Sequence, residues 1–376
     1  MKIIADDKIP FLRGVLEPFA DVVYMPGSKI SRADLTDTDG LLIRTRTRCN
    51  EALLHGTSVK FIGTATIGYD HIDTGYCDAR NIKWINAPGC NSSSVQQYIA
   101  AALLKLSVDE GFKLKNKTLG IVGVGNVGSK VEKIAGILGM KVLLNDPPRE
   151  RKEGSDKFVS FEKILRESDI ITLHVPLNRS GDDKTYHLIS GEVFRSMGKK
   201  AWLINSSRGE VVDTESIKIA LKNGLLAGAI LDVWENEPDI DRELLSATYI
   251  STPHIAGYST DGKAKGTSMV VNSLCRFFKL PLTDWYPENI PHPGNKEIEI
   301  DCSAKSDEEI VGEAVKVTYD IASDHFKLRQ SPDTFEKQRG DYGIRREFQS
   351  YRIVTGYCSR ELNEKLIRLG FSLASE

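Results

Sequence analysis

The sequence lacks the features that would place the protein in a membrane or on a nucleic acid. No window comes near the ~18 consecutive apolar residues that a membrane span requires. The formal net charge is only −2, so there is no basic surplus to attract a polyanion. The first ten residues reach Asp6 after only three apolar residues, which is too short for the core of a signal peptide. We therefore expect neither nucleic acid nor membrane as a partner.

Cysteine is scarce as well, and its positions suggest no pairing. The six cysteines are Cys49, Cys77, Cys90, Cys275, Cys302 and Cys358. No two of them have the C-x-x-C spacing of a metal or redox site. Scattered cysteines of this kind are typical of free thiols in a reducing compartment. We therefore expect a cytoplasmic protein without a bound metal.

The length and the pattern of the chain indicate several α/β domains. At 376 residues the chain exceeds what one hydrophobic core usually organises, so two or three domains are expected. Strands that alternate with helical patterns are predicted at 169–176, 201–206, 227–234 and 249–254. This alternation predicts a parallel, doubly wound sheet, whose ligands bind at the carboxyl ends of the strands. Arg208, Asp232 and His254 fall at those ends.

The rest of the chain is organised around a strand–turn–helix–strand unit from Thr118 to Asp146. The turn carries three glycines, Gly123, Gly125 and Gly128, at the spacing G-x-G-x-x-G. A side chain at the first two would obstruct the tight turn and the approach of a pyrophosphate, and Gly128 lets the helix lie close to the strand. The helix N-terminus offers unpaired N–H groups to phosphates. A glycine-rich turn without a ligand is the alternative, but strand, helix and acid in this order favour a dinucleotide site.

Asp146 indicates which dinucleotide is bound. It stands at the tip of the second strand, where a carboxylate can accept hydrogen bonds from both ribose hydroxyls. The same carboxylate would repel a 2′-phosphate, so NAD is favoured over NADP. Arg149 leaves NADP open as the alternative, because a nearby arginine can accommodate a 2′-phosphate.

The segment Arg44–Arg48 has the sequence RTRTR. In an extended chain Thr45 and Thr47 would share one face and the three arginines the other. Stacked arginines without acids repel one another unless water or an anion intervenes. A solvated edge and an anion site both fit this pattern.

The last 80 or so residues have a pattern of their own. A strand is predicted at 297–301, and Ser306 with Glu309 forms a capping box before a helix that runs to Ile321. A second strand is predicted at 351–355, and a second helix at 359–369. So small an α+β unit gains stability by docking on a partner, so we expect a homodimer.

Three further motifs follow in order along the chain. They are NSSRGEVVD at 205–213, LDVWENEP at 231–238 and TPHIAGY at 252–258. With GVGNVG ahead of them, the series resembles the D-2-hydroxyacid dehydrogenase family over residues 1 to about 280. The resemblance implies an α/β protein with a Rossmann-type doubly wound NAD domain and a flavodoxin-like substrate domain. Here a small C-terminal α+β dimerisation domain is added.

The resemblance also implies a domain plan. Residues 1–92 form the substrate-binding lobe, completed by about 256–280, and residues 93–255 form the NAD domain. Residues 281–295, which are rich in proline, form a linker. Residues 296–376 form the dimerisation domain.

Family roles carried over to this sequence agree with what the chemistry needs. Oxidation of a secondary alcohol needs a base for the hydroxyl proton, and His254 resembles the family's acid/base histidine. Glu237 resembles its carboxylate partner, although Glu235 lies two residues away and only the motif position distinguishes the two. Arg208 resembles the arginine that holds the substrate carboxylate, a task for which a guanidinium fork is suited. Asp232 resembles the residue near the nicotinamide.

The positions implied for the cofactor extend over the whole NAD domain. They are Gly123, Gly125, Asn126, Val127, Gly128, Asp146, Val175, Ser206, Ser207, Arg208, Asp232 and Gly257. Val175 departs from the threonine of many relatives, so a side-chain hydroxyl bond to NAD is not expected there. The remaining histidines, His71 and His174 among them, are interpreted as structural.

A narrower resemblance concerns the substrate. RTRT, GTATIGYDHID, APGCN, GYSTDGKA and the C-terminal domain are similar to a subgroup that oxidises 4-phosphoerythronate in pyridoxal 5′-phosphate biosynthesis. That resemblance places Thr45, Thr66 and Tyr258 at the substrate, with Arg44 and Arg46 as candidates for the phosphate. Arg345 and Arg346 are a further hypothesis for the phosphate, from the same or a partner subunit.

Two alternatives remain at the level of sequence. Another family member, such as a 3-phosphoglycerate dehydrogenase, also acts on a substrate with a carboxylate and a phosphate. From a different class, an NAD-sensing regulatory protein would share the nucleotide-binding unit. The presence of Arg208, Glu237 and His254 together argues for an enzyme.

Overall fold

Strands and helices alternate through most of the chain. The structure is a computed structural model that describes residues 1–154, 156–356 and 358–374. The strands are β1 Lys2–Asp6, β2 Asp21–Met25, β3 Gly40–Ile43, β4 Phe61–Thr64, β5 Lys83–Ile85, β6 Thr118–Val122, β7 Lys141–Asn145, β8 Ile170–Leu173, β9 Trp202–Asn205, β10 Gly228–Leu231, β11 Ile250–Ser251, β12 Glu297–Ile300, β13 Arg352–Thr355 and β14 Ser372–Leu373.

Helices connect most of these strands. They are α1 Glu51–Leu54, α2 Thr74–Ala79, α3 Ser92–Asp109, α4 Gly128–Ile137, α5 Pro147–Glu153, α6 Phe161–Glu167, α7 Gly191–Ser196, α8 Thr214–Lys222, α9 Arg242–Ala247, α10 Thr260–Phe278, α11 Asp307–Thr318, α12 Ile321–Gln330, α13 Phe335–Gly340 and α14 Arg360–Leu369. In the parts of the chain that the structure describes, none of the helices combines the length and the apolar character needed to cross a membrane.

Residues 1–91 and 259–291 form one compact unit. Its five-stranded sheet has the order β2-β1-β3-β4-β5, and every pair is parallel. Neighbouring residues of β3 face opposite sides, so that Leu41 and Leu42 enter different apolar clusters. Leu42 lies in the cluster to which α10 contributes Val270 and Leu274. This strand order is the flavodoxin-like arrangement, as the family resemblance implied.

Residues 92–258 and 292–376 form the second unit. Its larger sheet is six-stranded and parallel, with the order β11-β10-β9-β8-β6-β7. Apolar residues of α3 and α4 enter one core cluster, and those of α6 to α9 enter another. The predicted doubly wound α/β fold with a Rossmann-type domain is therefore confirmed.

The C-terminal segment adds a small sheet of its own. β12, β13 and β14 form a parallel three-stranded sheet in that order. The predicted capping box of Ser306 and Glu309 is present at the start of α11. α14 follows its N-cap Ser359 and ends at Gly370, whose φ is +115°. The helix predicted to run to Ile321 ends earlier, because Tyr319 has extended backbone and Asp320 caps a new helix, α12.

The C-terminal segment also packs on the nucleotide-binding sheet within the second unit. The amide of Gln97, in α3, donates hydrogen bonds to Thr318 Oγ1 and to the carbonyl of Arg346, both at 3.0 Å. The Nδ1 atom of His325 accepts a hydrogen bond of 3.0 Å from the backbone N–H of Ser251, in β11. These contacts bring the C-terminal helices against the strand that leads into the TPHIAGY motif.

The expectation of six free thiols is wrong for two of the cysteines. Cys302 and Cys358 form a disulfide whose Cα atoms are 5.7 Å apart. Ile300 and Thr355 are paired in register at the ends of β12 and β13, so the residues that follow them come together. A separation of 56 residues hides this pairing from the sequence. The other four cysteines are buried and form no disulfide.

Candidate active site

The glycine turn between β6 and α4 gives each glycine a different role. Gly123 has a φ of +87°, and a Cβ there would lie 2.7 Å from the carbonyl oxygen of His174. A Cβ on Gly128 would collide with the carbonyl of Gly123, so this glycine allows the helix to approach the strand. Around Gly125 a Cβ would meet no atom within 4 Å. Packing within the chain therefore explains the first and third glycines, whereas Gly125 faces space that a pyrophosphate can use.

Asp146 caps α5 and braces the glycine turn. Its carboxylate accepts hydrogen bonds from the backbone N–H of Val124 at 2.7 Å and from that of Arg149 at 3.0 Å. The guanidinium of Arg149 pairs with Glu153 at 2.6 Å and donates to the carbonyl of Val124. This arginine is thus engaged with its own helix and turn. The arrangement favours a ribose diol beside Asp146 over a 2′-phosphate.

The end of β8 carries Val175, which has no hydroxyl to offer. Its side chain is half-buried and lies close to Gly123. The neighbouring His174 bonds Thr172 Oγ1 at 3.0 Å, and burial lowers the pKa of His174 to about 3. A histidine held neutral in this way is a packing residue, in agreement with its structural interpretation.

The loop after β9 presents Ser206, Ser207 and Arg208. Asn205 fixes this loop from both ends: its Oδ1 accepts from Ser207 Oγ at 2.8 Å, and its amide donates to the carbonyl of Arg208 at 2.9 Å. The guanidinium of Arg208 donates to the carbonyl of Ser207 at 2.8 Å. A Cβ on Gly209 would collide with the backbone of Trp234, so the loop lies directly against the LDVWENEP motif.

Asp232 is a buried residue that organises the TPHIAGY loop. Its carboxylate accepts hydrogen bonds from Thr252 Oγ1 at 2.7 Å, from the N–H of Ile255 at 2.8 Å and from the N–H of Ala256 at 2.9 Å. Burial raises the pKa of Asp232 above its ordinary value. Its own carbonyl accepts from the backbone N–H of His254 at 2.6 Å. The residue therefore fixes the loop on which His254 lies.

Glu237 and His254 form a hydrogen-bonded pair. Glu237 Oε2 lies 2.7 Å from His254 Nδ1, and Glu237 Oε1 accepts from the backbone N–H of Trp234 at 2.9 Å. Desolvation opposes ionisation of this carboxyl group, yet His254 and Arg339 hold the pKa of Glu237 below its ordinary value. The side chain of His254 is 32% exposed, against 17% for Glu237. With Nδ1 turned to the carboxylate, Nε2 is the nitrogen left for a substrate.

The neighbouring acid, Glu235, has a different partner. It accepts a hydrogen bond from the backbone N–H of Thr214 at 3.0 Å and lies 2.8 Å from Nε2 of His187. A positive φ of 61° at Asn236, between the two acids, helps to turn them toward different partners. The structure thus separates two glutamates that the sequence could distinguish only by motif position. His187 was not singled out in the sequence.

Gly257 and Tyr258 complete the TPHIAGY loop. The backbone N–H of Tyr258 donates to the carbonyl of Ile255 at 2.9 Å. The ring of Tyr258 meets Tyr342 edge-on, with centroids 6.0 Å apart, and the guanidinium of Arg339 lies 5.7 Å from its centroid. Arg339 and Tyr342 belong to the C-terminal segment. No signal in the sequence indicated that these two residues would approach the loop.

The hypothesis that Arg345 binds a phosphate is not supported. Arg345 is 4% exposed, and its guanidinium donates to the side chain of Gln97 and to the carbonyls of Ser94, Ile255 and Ala256. With its donors committed inside the chain, it holds the TPHIAGY loop instead. Arg346 is also buried.

The first unit contains the other predicted substrate residues. The RTRTR segment is not extended throughout, because the chain turns at Thr45 and Arg46 after β3. Thr47 is buried, with its hydroxyl donating to the carbonyl of Gly27 at 2.9 Å, whereas Thr45 is exposed. The alternation is broken because a buried hydroxyl contact anchors Thr47. Arg44 donates to the carbonyl of Lys8 at 3.2 Å.

Thr66 lies in the loop that follows β4 in the same unit. Its hydroxyl bonds Thr64 Oγ1 at 2.7 Å and the carbonyl of Gly68 at 2.9 Å. His71 Nε2 lies 3.2 Å from the same Thr64 hydroxyl. This small hydroxyl cluster is half-buried at Thr66 and shapes the loop that was predicted to meet the substrate.

Comparison with known proteins agrees with this geometry. The family model for the D-isomer specific 2-hydroxyacid dehydrogenase NAD binding domain matches residues 93–256, and a domain of unknown function matches residues 290–370. A D-lactate dehydrogenase from Aquifex aeolicus, solved with NAD and lactic acid, is similar in fold. Its TM-score is 0.63 and its identity 27%, covering 74% of this chain and 96% of that one. Fold and site together define an NAD-dependent 2-hydroxyacid dehydrogenase.

Relatives in sequence narrow the assignment. An erythronate-4-phosphate dehydrogenase from Bacteroides thetaiotaomicron is 52% identical over 355 residues, which is 94% of this chain and 99% of the relative. An enzyme of the same name from Proteus mirabilis is 38% identical over 376 residues, 99% of each chain. The chain belongs to the erythronate-4-phosphate dehydrogenase family. The predicted family and the predicted cofactor, NAD, are confirmed, and the roles of single residues stay predictions.

Proposed function

We propose that the protein oxidises 4-phospho-D-erythronate at C2 to 2-oxo-3-hydroxy-4-phosphobutanoate, with NAD as acceptor, in pyridoxal 5′-phosphate biosynthesis. The observation that carries the activity is the 2.7 Å contact between Glu237 and His254, which pairs an acid/base imidazole with a carboxylate. The names of the curated relatives supply the substrate.

The proton chemistry follows from the geometry of this pair. Ionised Glu237 accepts the Nδ1–H of His254, so Nε2 carries the lone pair and takes the hydroxyl proton of the substrate. The imidazolium that forms is stabilised by the adjacent carboxylate. Bound NAD would supply the acceptor for the hydride of C2, so that the C2–O bond could become a carbonyl. One proton and one hydride thus leave the alcohol.

Arg208 is assigned to the carboxylate of the substrate. Its guanidinium offers two parallel N–H donors, which match the two oxygens of a carboxylate. Asn205 and Gly209 fix the loop that carries it, and one N–H is tied to the carbonyl of Ser207. Fixing the carboxylate in this way orients C2 toward the imidazole.

The remaining substrate residues are assigned from the family resemblance. We assign Thr45, Thr66 and Tyr258 to the substrate and Arg44 and Arg46 to its phosphate, as the family resemblance implies. Exposure of Thr45 and Arg46 supports this assignment. Arg345 is left out because its donors are engaged elsewhere.

The residues assigned to NAD fit that cofactor. Gly125 and Asn126 are exposed at the N-terminus of α4, where free backbone N–H groups suit a pyrophosphate. Asp146 suits the ribose diol. Val175, Ser206, Ser207, Asp232 and Gly257 remain assigned as well. For Asp232 the internal hydrogen bonds suggest that it acts on the nicotinamide end chiefly by holding the loop.

A direct comparison of substrates tests the proposed activity. We expect NAD-dependent turnover of 4-phosphoerythronate with kcat/KM at least ~10-fold above that of D-3-phosphoglycerate, since the two differ by one hydroxylated carbon. NADH absorbance at matched substrate concentrations measures both rates. Faster turnover of D-3-phosphoglycerate would replace our substrate with that of the runner-up family member. Binding of NAD without turnover of either would favour the regulatory alternative.

We further propose a homodimer formed through the C-terminal domain, residues 296–376. Among the described residues of this region, four large apolar side chains are exposed at more than half of their surface: Val317, Phe326, Ile344 and Ile367. Exposed apolar side chains of this size mark association surfaces when they lie together. Sedimentation equilibrium is expected to give twice the chain mass, and Phe326→Lys to weaken association. A monomer at every concentration would refute the proposal.

A cytoplasmic location is proposed as well. Four buried cysteines that form no disulfide support it, while the disulfide of Cys302 and Cys358 shows that not every cysteine is a thiol. Cell fractionation with an antibody against the protein tests the location. Recovery outside the cytosolic fraction would contradict it.

A further inference from the structure

We propose that Arg339, supplied by the C-terminal helix α13, is a positioning residue of the active site that acts through Tyr258 and Glu237. The inference rests on the roles proposed above for Tyr258, Glu237 and His254. It gives the C-terminal segment a part in the reaction within its own chain, in addition to any part in association.

The geometry places Arg339 beside the TPHIAGY loop. Its side chain is only 16% exposed, and its guanidinium lies 5.7 Å from the centroid of the Tyr258 ring, within the range of a cation–π contact. The guanidinium of Arg339 also lies 3.1 Å from Glu336 and 5.9 Å from the centroid of the Phe335 ring. A half-buried guanidinium with these contacts can restrict the position of the Tyr258 ring.

The charge of Arg339 acts on the catalytic pair. Glu237 lies 2.7 Å from His254 Nδ1, and His254 and the charge of Arg339, on α13, hold the pKa of Glu237 below its ordinary value against the effect of desolvation. Two further acids bear on these groups: Asp232 interacts with His254, and Glu336 lies 3.1 Å from Arg339. A carboxylate that stays ionised keeps the Nδ1–H of His254 in place and leaves Nε2 free to accept a proton.

The neighbouring basic residues do not duplicate this arrangement. Arg345 is committed to backbone carbonyls and to Gln97. Lys337, on the same helix, is exposed. Among these three cations, Arg339 is the one that lies near the Tyr258 ring and whose charge lowers the pKa of Glu237.

Arg339→Gln and Arg339→Lys test the inference, with Arg360→Gln as the control. Arg360 belongs to the same segment, but its side chain is 93% exposed. We expect Arg339→Gln to raise KM for 4-phosphoerythronate about 3- to 10-fold through loss of Tyr258 placement. We also expect the acid limb of kcat/KM for oxidation to move up by about 0.5–1 pH unit, because loss of a nearby cation favours protonation of the Glu237–His254 pair.

Arg339→Lys separates charge from shape. Lysine keeps the charge but not the planar guanidinium, so it should restore the acid limb and leave KM raised. Circular dichroism and the Kd for NAD should match the wild type for every variant, which excludes misfolding. If Arg339→Gln does not fold, the raised KM expected of Arg339→Lys still tests the effect of the guanidinium on Tyr258.

Several outcomes would overturn the inference. It fails if Arg339→Gln, properly folded, keeps the KM and pH profile of Arg360→Gln. It also fails if the lysine and glutamine variants have the same acid limb, since charge would then not act on Glu237. Lack of turnover by the wild type would instead refute the proposed function, so the two failures are distinguishable.

Discussion

His254→Ala is expected to lower kcat by about 10²–10⁴-fold, the range over which general acid–base catalysis contributes. In the proposed mechanism the imidazole takes the proton from the C2 hydroxyl, and alanine leaves only water in its place. The Nδ1 atom of His254 lies 2.7 Å from Glu237, so removal of the imidazole also leaves the half-buried carboxylate of Glu237 without this partner. Steady-state NADH formation measures kcat, and fluorescence titration measures the Kd for NAD. NAD affinity should change little, because the glycine turn is untouched.

His55→Ala is the matched control for this substitution. His55 is exposed at the end of α1, and its Nδ1 lies 3.4 Å from a guanidinium nitrogen of Arg80. Its removal should leave kcat within twofold of the wild type. A His254→Ala enzyme with near-normal turnover would refute the acid/base assignment.

Glu237→Gln tests the contribution of the carboxylate charge to the same Glu237–His254 pair. Glutamine is close in shape but carries no charge, so the imidazolium loses its stabilising partner. A base that is harder to protonate stays active to lower pH, so the acid limb for oxidation should move down. This is the direction opposite to that expected for Arg339→Gln. Opposite shifts from the two variants would identify Glu237 and Arg339 as opposing charges on one histidine.

Local sequence patterns were sufficient for the fold and the cofactor. The three glycines, the strand before them and Asp146 lie within 29 residues, and the chemistry of each is set by near neighbours in the chain. The capping box of Ser306 and Glu309 is equally local, and it was predicted correctly. In such cases the physical cause acts over one or two turns of chain, which a sequence displays directly.

The remaining features depend on contacts that are distant in the chain. Thr47 is buried because its hydroxyl reaches Gly27, 20 residues away, and this contact breaks the alternation expected of RTRTR. Arg339 and Tyr258 meet through packing between separate motifs, as do Cys302 and Cys358. Each residue type is ordinary in its own segment. Only the folded chain shows which partners they have.

Contacts that are distant in the chain also change the role assigned to Arg345. In sequence it is one of two adjacent arginines, and a phosphate is a reasonable ligand for such a pair. In the structure its guanidinium lies 4.0 Å from the centroid of Tyr319 and donates to Ser94, Ile255 and Ala256 carbonyls. Two of these carbonyls belong to the loop that carries His254. Arg345 therefore stabilises the loop that carries His254 through these hydrogen bonds.

Arg345→Met should consequently lower the free energy of unfolding more than it weakens substrate binding. The substitution keeps much of the apolar stem but removes the hydrogen bonds of the guanidinium to the buried carbonyls of Ile255 and Ala256, each worth about 1.5–3 kcal/mol because the donor is charged. Together with loss of the contact to Tyr319, we expect about 3–5 kcal/mol of lost stability. Urea unfolding followed by circular dichroism, at one fixed protein concentration, measures the change.

Arg329→Met is the control for that experiment. Arg329 also donates to a carbonyl, that of Ser246 at 2.6 Å, but it lies on the exposed face of α12. Its loss should change stability by less than about 0.5 kcal/mol. Where Arg345→Met remains folded, kcat should fall because the loop of His254 loosens, with KM for the phosphorylated substrate changing less. A variant of unchanged stability whose KM rises for the phosphorylated substrate would instead restore Arg345 as a phosphate ligand.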